Sequence, residues 1–596
     1  MLSRLARAIP ALVLLSAVRP AAAQIDYRNL DDDRPVTTED AYPVERHAFE
    51  LLVPWKFEAE AGGERLHAVV PELAYGILPN THVGVKTPFA LVDDGGNGET
   101  GFSGLRLFAL HNLNTETPGL PALSLRADLG LPVGALGGEG ARVGLKAIAT
   151  RSWGATRAHL NASWSVGDED GAPAAAEPLD RWRASLAVDH TFLRRSLLLI
   201  GDLGLSEARR GGPTEATAAL GVRWQWRPTF VLDAGLERRL RGGVGPDIGV
   251  TVGLSHAFAL RPLVPSGRAP APTVAPRPAG GALPRRDEQF YYPGGFNWQF
   301  LRRYPDAARL FNAFDYGHAV LYETLLTTRG EETTRRLARE YEYLTTDLLR
   351  RPPRFAVAEE AVEPDYAKLV WRAKLMFDWA HVLHRQIYDL YADPGLAPAE
   401  RDTLIERATD YYLARTEYAF TPVPKSMALM DEQYFSQSFR RAHPAFNGLI
   451  WAYHWLQVGL YEPLLEAQTS AAPGTAARAG VAATLERFWA MVDGAPAALP
   501  RVMPMTSAVA PRFSAAHPRA AIVFDNLHMM HDIISDVLHS EAVPAERKAG
   551  EIARALDEFR DPTRNVTSLE MWRDMGEHMG GVDAMGGAPP GAPHLH

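Results

Sequence analysis

Leu123-Ser124-Leu125-Arg126-Ala127-Asp128-Leu129-Gly130-Leu131 carries an apolar residue at every odd position and a small, polar or charged one at every even position. A period of two marks a strand with two unlike faces. The alternation returns in Trp182, Ala184, Leu186 and Val188 against Arg183, Ser185 and Asp189. It recurs in Leu220, Val222, Trp224 and Trp226 against Gly221, Arg223, Gln225 and Arg227, and in Ile248, Val250, Val252 and Leu254 against Gly249, Thr251, Gly253 and Ser255. A soluble sandwich or lipocalin-like barrel, the alternative, rarely lines a face so uniformly with Arg, Asp and Gly. A transmembrane barrel requires it: lipid outside, a polar lumen inside, Trp near the interfaces. The segments approach the ~10 residues of a spanning strand. Turn clusters such as Asp93-Asp94-Gly95-Gly96-Asn97-Gly98 and Arg210-Gly211-Gly212-Pro213 separate them. The expectation is an antiparallel transmembrane β-barrel of about twelve strands over residues 47–259, an even number that returns both ends to the periplasm.

The rest of the chain agrees with export. Arg4 and Arg7, the apolar run Ala8–Val18 and Ala21-Ala22-Ala23 read as a signal peptide over 1–23, followed by an N-terminal segment, 24–46. No later stretch is long and apolar enough for a spanning helix. Lys+Arg is 62 against Asp+Glu 71, a net charge of -9, which argues against nucleic acid as a partner. Cysteine is absent, which excludes disulfides, thiol nucleophiles, Fe–S clusters and Cys-ligated metal. Any metal must be held by His, carboxylate, Met or Tyr.

Seven prolines between Pro262 and Pro284, with Gly280-Gly281, define an extended linker over 260–284. Beyond it the period becomes helical, as in Val370, Ala373, Phe377, Ala380, His384, Ile387 and Tyr391. An all-α bundle is expected over 285–580. It reads as internally duplicated, with repeats at about 307–416 and 443–560. Phe377-Asp378-x-x-His381-x-x-His384-x-x-Ile387-x-Asp389 is matched by Phe524-Asp525-x-x-His528-x-x-His531-x-x-Ile534-x-Asp536. A looser echo runs from Phe311-Asn312 through His318 to Glu323, and from Phe446-Asn447 through His454 to Glu462, with an extra helical turn in the second copy.

Asp at i and His at i+3 lie about 60° apart on a helix, so both can face one object. Two such edges related by a pseudo-twofold axis bring imidazoles and carboxylates together inside a bundle, the arrangement of non-haem metal sites. The candidate ligands are Asp378, His381, His384, Asp525, His528, His531, His318, His454, Glu323 and Glu462. The metal expected is iron or copper. A hydrogen-bonded core without metal and bis-His haem ligation are the alternatives. The tail, 581–596, carries Met585, His594 and His596 and reads as disordered.

Two resemblances add to these readings. Pro71-Glu72-Leu73-Ala74-Tyr75-Gly76-Ile77-Leu78-Pro79-Asn80, Leu129-Gly130-Leu131-Pro132-Val133-Gly134 and Gly253-Leu254-Ser255-His256-Ala257-Phe258 resemble the outer-membrane barrels of the MetA-pathway-of-phenol-degradation (transporter-like) family. The resemblance implies an outer-membrane barrel that passes small solutes, and no catalytic residues. Here, however, more than half the chain follows the Phe258 strand. Glu323, Asp378-x-x-His381, Glu462 and Asp525-x-x-His528 are similar in order to the ferritin-like dimetal pattern, with Asp in place of Glu in both paired motifs. The resulting expectation is an outer-membrane barrel with a periplasmic metal-binding helical domain. Its partners are membrane lipid, a metal ion and small solutes, and its role is metal or solute handling. A barrel-anchored metal-dependent oxidoreductase and a metal-free structural envelope protein are the alternatives.

Overall fold

The computed structural model describes residues 24–60, 63–93, 98–138, 140–167, 181–208, 214–242, 246–263, 298–587 and 589. The stretch expected as a signal peptide, nearly all of the Pro-rich segment and the last histidines lie outside the described residues. Between Phe49 and Phe258 the chain forms one antiparallel sheet, which the pairing of Phe49–Leu52 with Phe258–Ser255 closes. The result is a twelve-strand barrel followed by helices.

Four adjacent barrel strands are each broken once. They are Phe49–Leu52 with Trp55–Ala59, Arg65–Val69 with Glu72–Leu78, Thr81–Lys86 with Phe89–Asp93, and Gly98–Phe102 with Leu105–Asn114. Pro54, Pro71, Pro88 and Gly104 sit at the breaks. Proline has no N–H to give the ladder, so the pairing lapses at the first three; at the fourth, Gly104 takes left-handed backbone at φ 103° and turns its N–H to the Val133 carbonyl. One bond joins each neighbouring pair at the gap: Val70 N–H donates to the Pro54 carbonyl, Thr87 to Pro71 and Ser103 to Pro88, each at 3.0 Å.

The alternation read from the sequence sorts as a membrane barrel requires. Leu125 is 53% and Leu220 69% exposed on the outer wall, whereas Ser124 and Arg126 are each 2% exposed, pointing inward. Lipid would cover the first set. The second set meets the protein itself. The N-terminal segment threads the lumen, a role its sequence alone does not announce. Its backbone takes bonds that a strand would take from a neighbour. Thr38 N–H donates to Asp202 Oδ2 at 2.7 Å, Glu39 N–H to Asn161 Oδ1 at 2.9 Å, and Ala41 N–H to Thr150 Oγ1 at 3.0 Å. Its charges meet the wall as well. Asp32 contacts Lys146 at 2.5 Å, Lys86 at 3.3 Å and Arg126 at 3.4 Å; Asp31 contacts Arg223 at 2.9 Å; Asp40 contacts Arg157 at 3.1 Å. Arg34 answers with Asp233 at 3.3 Å. Paired in this way, the charges are tolerated in a confined lumen.

The helical part rests on the barrel end that carries both barrel termini and the short turns. Lys368 reaches Glu116 at 3.0 Å, Arg194 reaches Asp347 at 2.6 Å, and Arg354 donates to the Trp226 carbonyl at 3.1 Å. Arg28 of the lumen segment pairs with Glu360 at 3.1 Å.

Two series of helices run in the same order. Gln299–Arg303, Pro305–Thr327, Pro364–Leu369, Trp371–Ala392 and Pro398–Leu413 compose the first. Ser438–Ala442, Pro444–Gly459 continued by Tyr461–Glu466, Pro511–Ala516, Pro518–His539 and Ala545–Arg560 compose the second. Their caps match. Asp389 accepts the N–H groups of Trp298 and Phe300, both at 2.9 Å, and Asp536 those of Gln437 and Phe439, at 2.7 and 2.9 Å. Trp298 and Gln437 both take left-handed backbone, at φ 56° and 63°. One detail of the sequence reading is corrected. Glu323 follows Pro305 by 18 residues, and Glu462 follows Pro444 by 18, so the second series carries no extra turn there. The Phe-Asn echo is out of register, and His318 and His454 occupy different positions along their helices.

The tail also departs from expectation, because it is not disordered from 581. Gly581–Ala584 is helical, Met585 is fully buried, and the Gly587 carbonyl accepts the Trp455 indole N–H. Apolar contact and that bond hold the segment against the bundle.

Candidate metal centre

Trp371–Ala392 and Pro518–His539 face each other across the core, flanked by Pro305–Thr327 and Pro444–Gly459. Their apolar stripes dictate this packing, and histidines at the same helical phase are carried inward with them. Ring centroids of His381 and His531 are 5.9 Å apart and those of His384 and His528 6.2 Å. The two Asp-x-x-His-x-x-His segments therefore share one interior.

Within it three imidazoles converge. His454 Nε2 lies 3.0 Å from His318 Nε2 and 2.9 Å from His531 Nδ1, and the three nitrogens lie within 4.8 Å of one another. All three residues are at most 2% exposed. Burial pushes the His318 imidazole down to about 4 and holds His454 and His531 well below the usual imidazole range, so all three are neutral near pH 7. His318 Nδ1–H donates to the Phe314 carbonyl at 2.9 Å, which leaves Nε2 as a bare lone pair. If His454 Nε2 carries a proton, one N–H serves two acceptors. If it does not, two lone pairs meet at 3.0 Å. A cation at the centre would accept all three lone pairs. Four-coordinate His–metal bonds of about 2.0–2.1 Å put nitrogens roughly 3.3 Å apart, close to the two contacts of 2.9 and 3.0 Å at His454 Nε2. The donor set suits zinc, copper, iron or nickel. The Phe314 carbonyl is the kind of outer partner that orients a ligating histidine. The rings stack against each other, His454 on His528 at 4.0 Å and His318 on His531 at 4.3 Å, which leaves no gap for a haem macrocycle between them.

The remaining candidates lie elsewhere. His528 stacks on His454, with no hydrogen-bond partner at either nitrogen. His384 Nδ1 meets the Tyr461 hydroxyl at 2.8 Å, outside the triad. Asp378 pairs with Lys374 one turn away on its own helix, not with an imidazole. Asp525 accepts the Thr506 N–H at 2.8 Å and the Trp572 indole N–H at 2.7 Å. It pins the chain that precedes its helix. Glu323 and Glu462, expected among the ligands, instead cap helices. Glu323 accepts the N–H groups of Asp365 and Tyr366, each at 3.1 Å, and Glu462 that of Phe513 at 3.1 Å. No dicarboxylate bridge of the ferritin-like kind is formed by these residues. Asp315, Glu359 and His381 compose a second buried group within 4.8 Å; the first two were absent from the candidate ligands.

The capping glutamates carry a pH signature. Burial raises both carboxyls to about 7. A carboxyl whose folded value lies above its unfolded value near 4.3 stabilises the fold most below the latter, and that contribution is lost as pH rises towards 7. Glu323→Gln keeps one acceptor and never ionises. It is expected to match the wild type in thermal unfolding near pH 4.5 and to lose less stability between pH 4.5 and 7. Parallel pH profiles for the two proteins would contradict this.

No protein-family profile matches the chain, and no curated protein does. Solved barrels do. The COG4313 outer membrane channel from Pseudomonas putida F1 aligns with 38% of this chain and 100% of its own, at 16% identity and a TM-score of 0.32. The KdgM porin in complex with disordered oligogalacturonate aligns with 34% of this chain and 98% of its own, at 10% identity and 0.25. The translocator domain of the autotransporter NalP from Neisseria meningitidis aligns with 35% of this chain and 86% of its own, at 14% identity and 0.24.

Proposed function

We propose that this chain is an outer-membrane β-barrel filled by its own N-terminal segment, with a periplasmic helical domain that holds a transition metal, iron or copper, for metal or small-solute handling at the envelope. The observation that carries the metal reading is the convergence of His318 Nε2, His454 Nε2 and His531 Nδ1, three buried nitrogens that have too few protons among them. His318, His454 and His531 are the ligands. The duplicated scaffold of the sequence reading supplies the facing helices. The membrane reading rests on the exposed apolar wall, and the periplasmic assignment on the short turns at the end the helices contact.

The test uses the full chain. It is expected in the outer-membrane fraction and to run faster on gels when unheated, as closed barrels do. Extraction as a soluble protein would remove the membrane reading. After chelation and reloading with Cu²⁺ or Fe²⁺, the detergent-solubilised chain should retain metal at the three histidines. Retention no greater than that of a His454→Ala chain would remove the metal reading. Oxygen consumption by the loaded chain would favour the oxidoreductase alternative over handling.

A further inference from the structure

Between the helical domain and the base of the barrel lies a cavity of about 140 Å³. On the barrel side it is lined by Gln24, Tyr27 and Glu50, and on the helical side by Asp315, Glu359 and His381. At its inner wall His381 Nδ1 stands 3.7 Å from Asp315 Oδ1 and 4.0 Å from Glu359 Oε1. These distances are too long for hydrogen bonds. His381 is 2% exposed, and neither of its nitrogens has a hydrogen-bond partner; Asp315 Oδ1 has none either. Buried polar atoms without partners are rare in native proteins. Here an imidazole nitrogen and a carboxylate oxygen face a common space, together with a second carboxylate, at the spacing of ligands around an ion.

The charges nearby leave the space open to a cation. Arg385 takes Asp315 Oδ2, whereas Oδ1 is the oxygen 3.7 Å from His381 Nδ1. Lys374 is drawn to Asp378 and to Glu360, the latter at 3.2 Å. Arg28 reaches Glu360 at 3.1 Å. Lys374 and Arg28 thus meet Asp378 and Glu360, Arg385 meets one oxygen of Asp315, and Asp315 Oδ1 and Glu359 Oε1 remain beside the imidazole.

We propose that Asp315, Glu359 and His381 form a second cation site, separate from the three-histidine centre and opening towards the barrel mouth. Two carboxylates and one imidazole make a harder donor set than three imidazoles, suited to Mn²⁺, Fe²⁺ or Zn²⁺ with water completing the shell. His381 also lies between the sites, its ring centroid 6.2 Å from that of His318 and 5.9 Å from that of His531. An ion held here would sit where the lumen segment meets the helical domain.

The experiment titrates the metal-stripped full chain in detergent with Mn²⁺, read by loss of the free-ion electron paramagnetic resonance signal. Wild type is expected to bind one Mn²⁺ per chain, with ¹⁴N coupling in pulsed spectra from the His381 imidazole. Glu359→Gln should bind at least tenfold more weakly, and His381→Gln should lose the nitrogen coupling. His454→Ala should bind Mn²⁺ as wild type does, so failure of the three-histidine reading leaves this result intact. Absence of Mn²⁺ binding by wild type overturns the site. Unchanged affinity in Glu359→Gln, or nitrogen coupling that persists in His381→Gln, does the same. Should Glu359→Gln fail to fold, the wild-type stoichiometry and the His381→Gln spectrum decide.

Discussion

A chain lacking residues 24–46 is expected to form open, anion-preferring pores in planar bilayers, whereas the intact chain stays shut. The segment carries seven carboxylates and three guanidinium groups, so its removal makes the lumen more positive by four charges. Lys146, which now faces Asp32 and Glu39, would face water, while Lys86 and Arg126 would lose Asp32 and keep only Glu72 and Asp128 of the wall. A lumen made more positive by four charges shifts its preference towards anions. The wall itself should survive, because its ladder runs from strand to strand and closes without the segment. The effect is expected to be all or none in unit conductance steps. The triple change Asp31→Asn, Asp32→Asn and Asp33→Asn should give intermittent opening, since backbone bonds such as that of Thr38 to Asp202 remain. Equal conductance in the intact and shortened chains would refute the plug.

The second large effect concerns His454, whose Nε2 is shared by both close contacts of the triad. His454→Ala removes one ligand and the geometric centre of the set. Metal affinity is expected to fall on the order of 100-fold or more, beyond what outer partners cost. Truncating a fully buried ring leaves a cavity, with a stability cost of about 2–5 kcal/mol. Metal-free protein gains something in return, because the crowding of lone pairs at 2.9–3.0 Å disappears. The diagnostic readout is therefore the rise in melting temperature on adding Cu²⁺, present in wild type and absent in the variant. His528→Ala is the control: it stacks on His454 without reaching the triad, and should keep most of the metal-dependent rise. The same rise in His454→Ala as in wild type would remove His454 from the site.

The barrel was legible because its information is local. In Leu123–Leu131 each residue's face follows from parity alone, and an apolar face outside with a polar face inside needs no other fact. The lumen segment was not legible, since Asp31-Asp32-Asp33 gains meaning only from lysines and arginines spread over the barrel strands. Pro54, Pro71 and Pro88 recur every 17 residues, a regularity that could have marked one level of the wall. In the helical half, the matched motifs do bring His531 and its neighbours into one interior. The carboxylates beside them misled for a physical reason: an Asp three residues before a His can serve a nearer need. Asp378 found Lys374 on its own helix, and Asp525 found backbone and indole N–H groups. Glu323 and Glu462 serve helix N-termini about 40 to 50 residues away in sequence, a partnership that spacing cannot reveal.

The line of prolines gives the barrel a mechanical property that a regular cylinder lacks. Across a third of the circumference, four of the twelve strands, the wall is jointed at one height. Above that joint, Gly98–Phe102 pairs with Phe89–Asp93 but not with the Ala122–Leu131 strand; the loop residue Leu136 donates to the Phe102 carbonyl instead. The upper panel of these four strands is thus paired with the rest of the wall along one side, through Trp55–Ala59, and below it only the four backbones and single hydrogen bonds cross the joint. Bending or thinning of the surrounding bilayer would be absorbed at this joint. The continuous two-thirds of the wall, and the helices seated beneath it, would be spared the distortion.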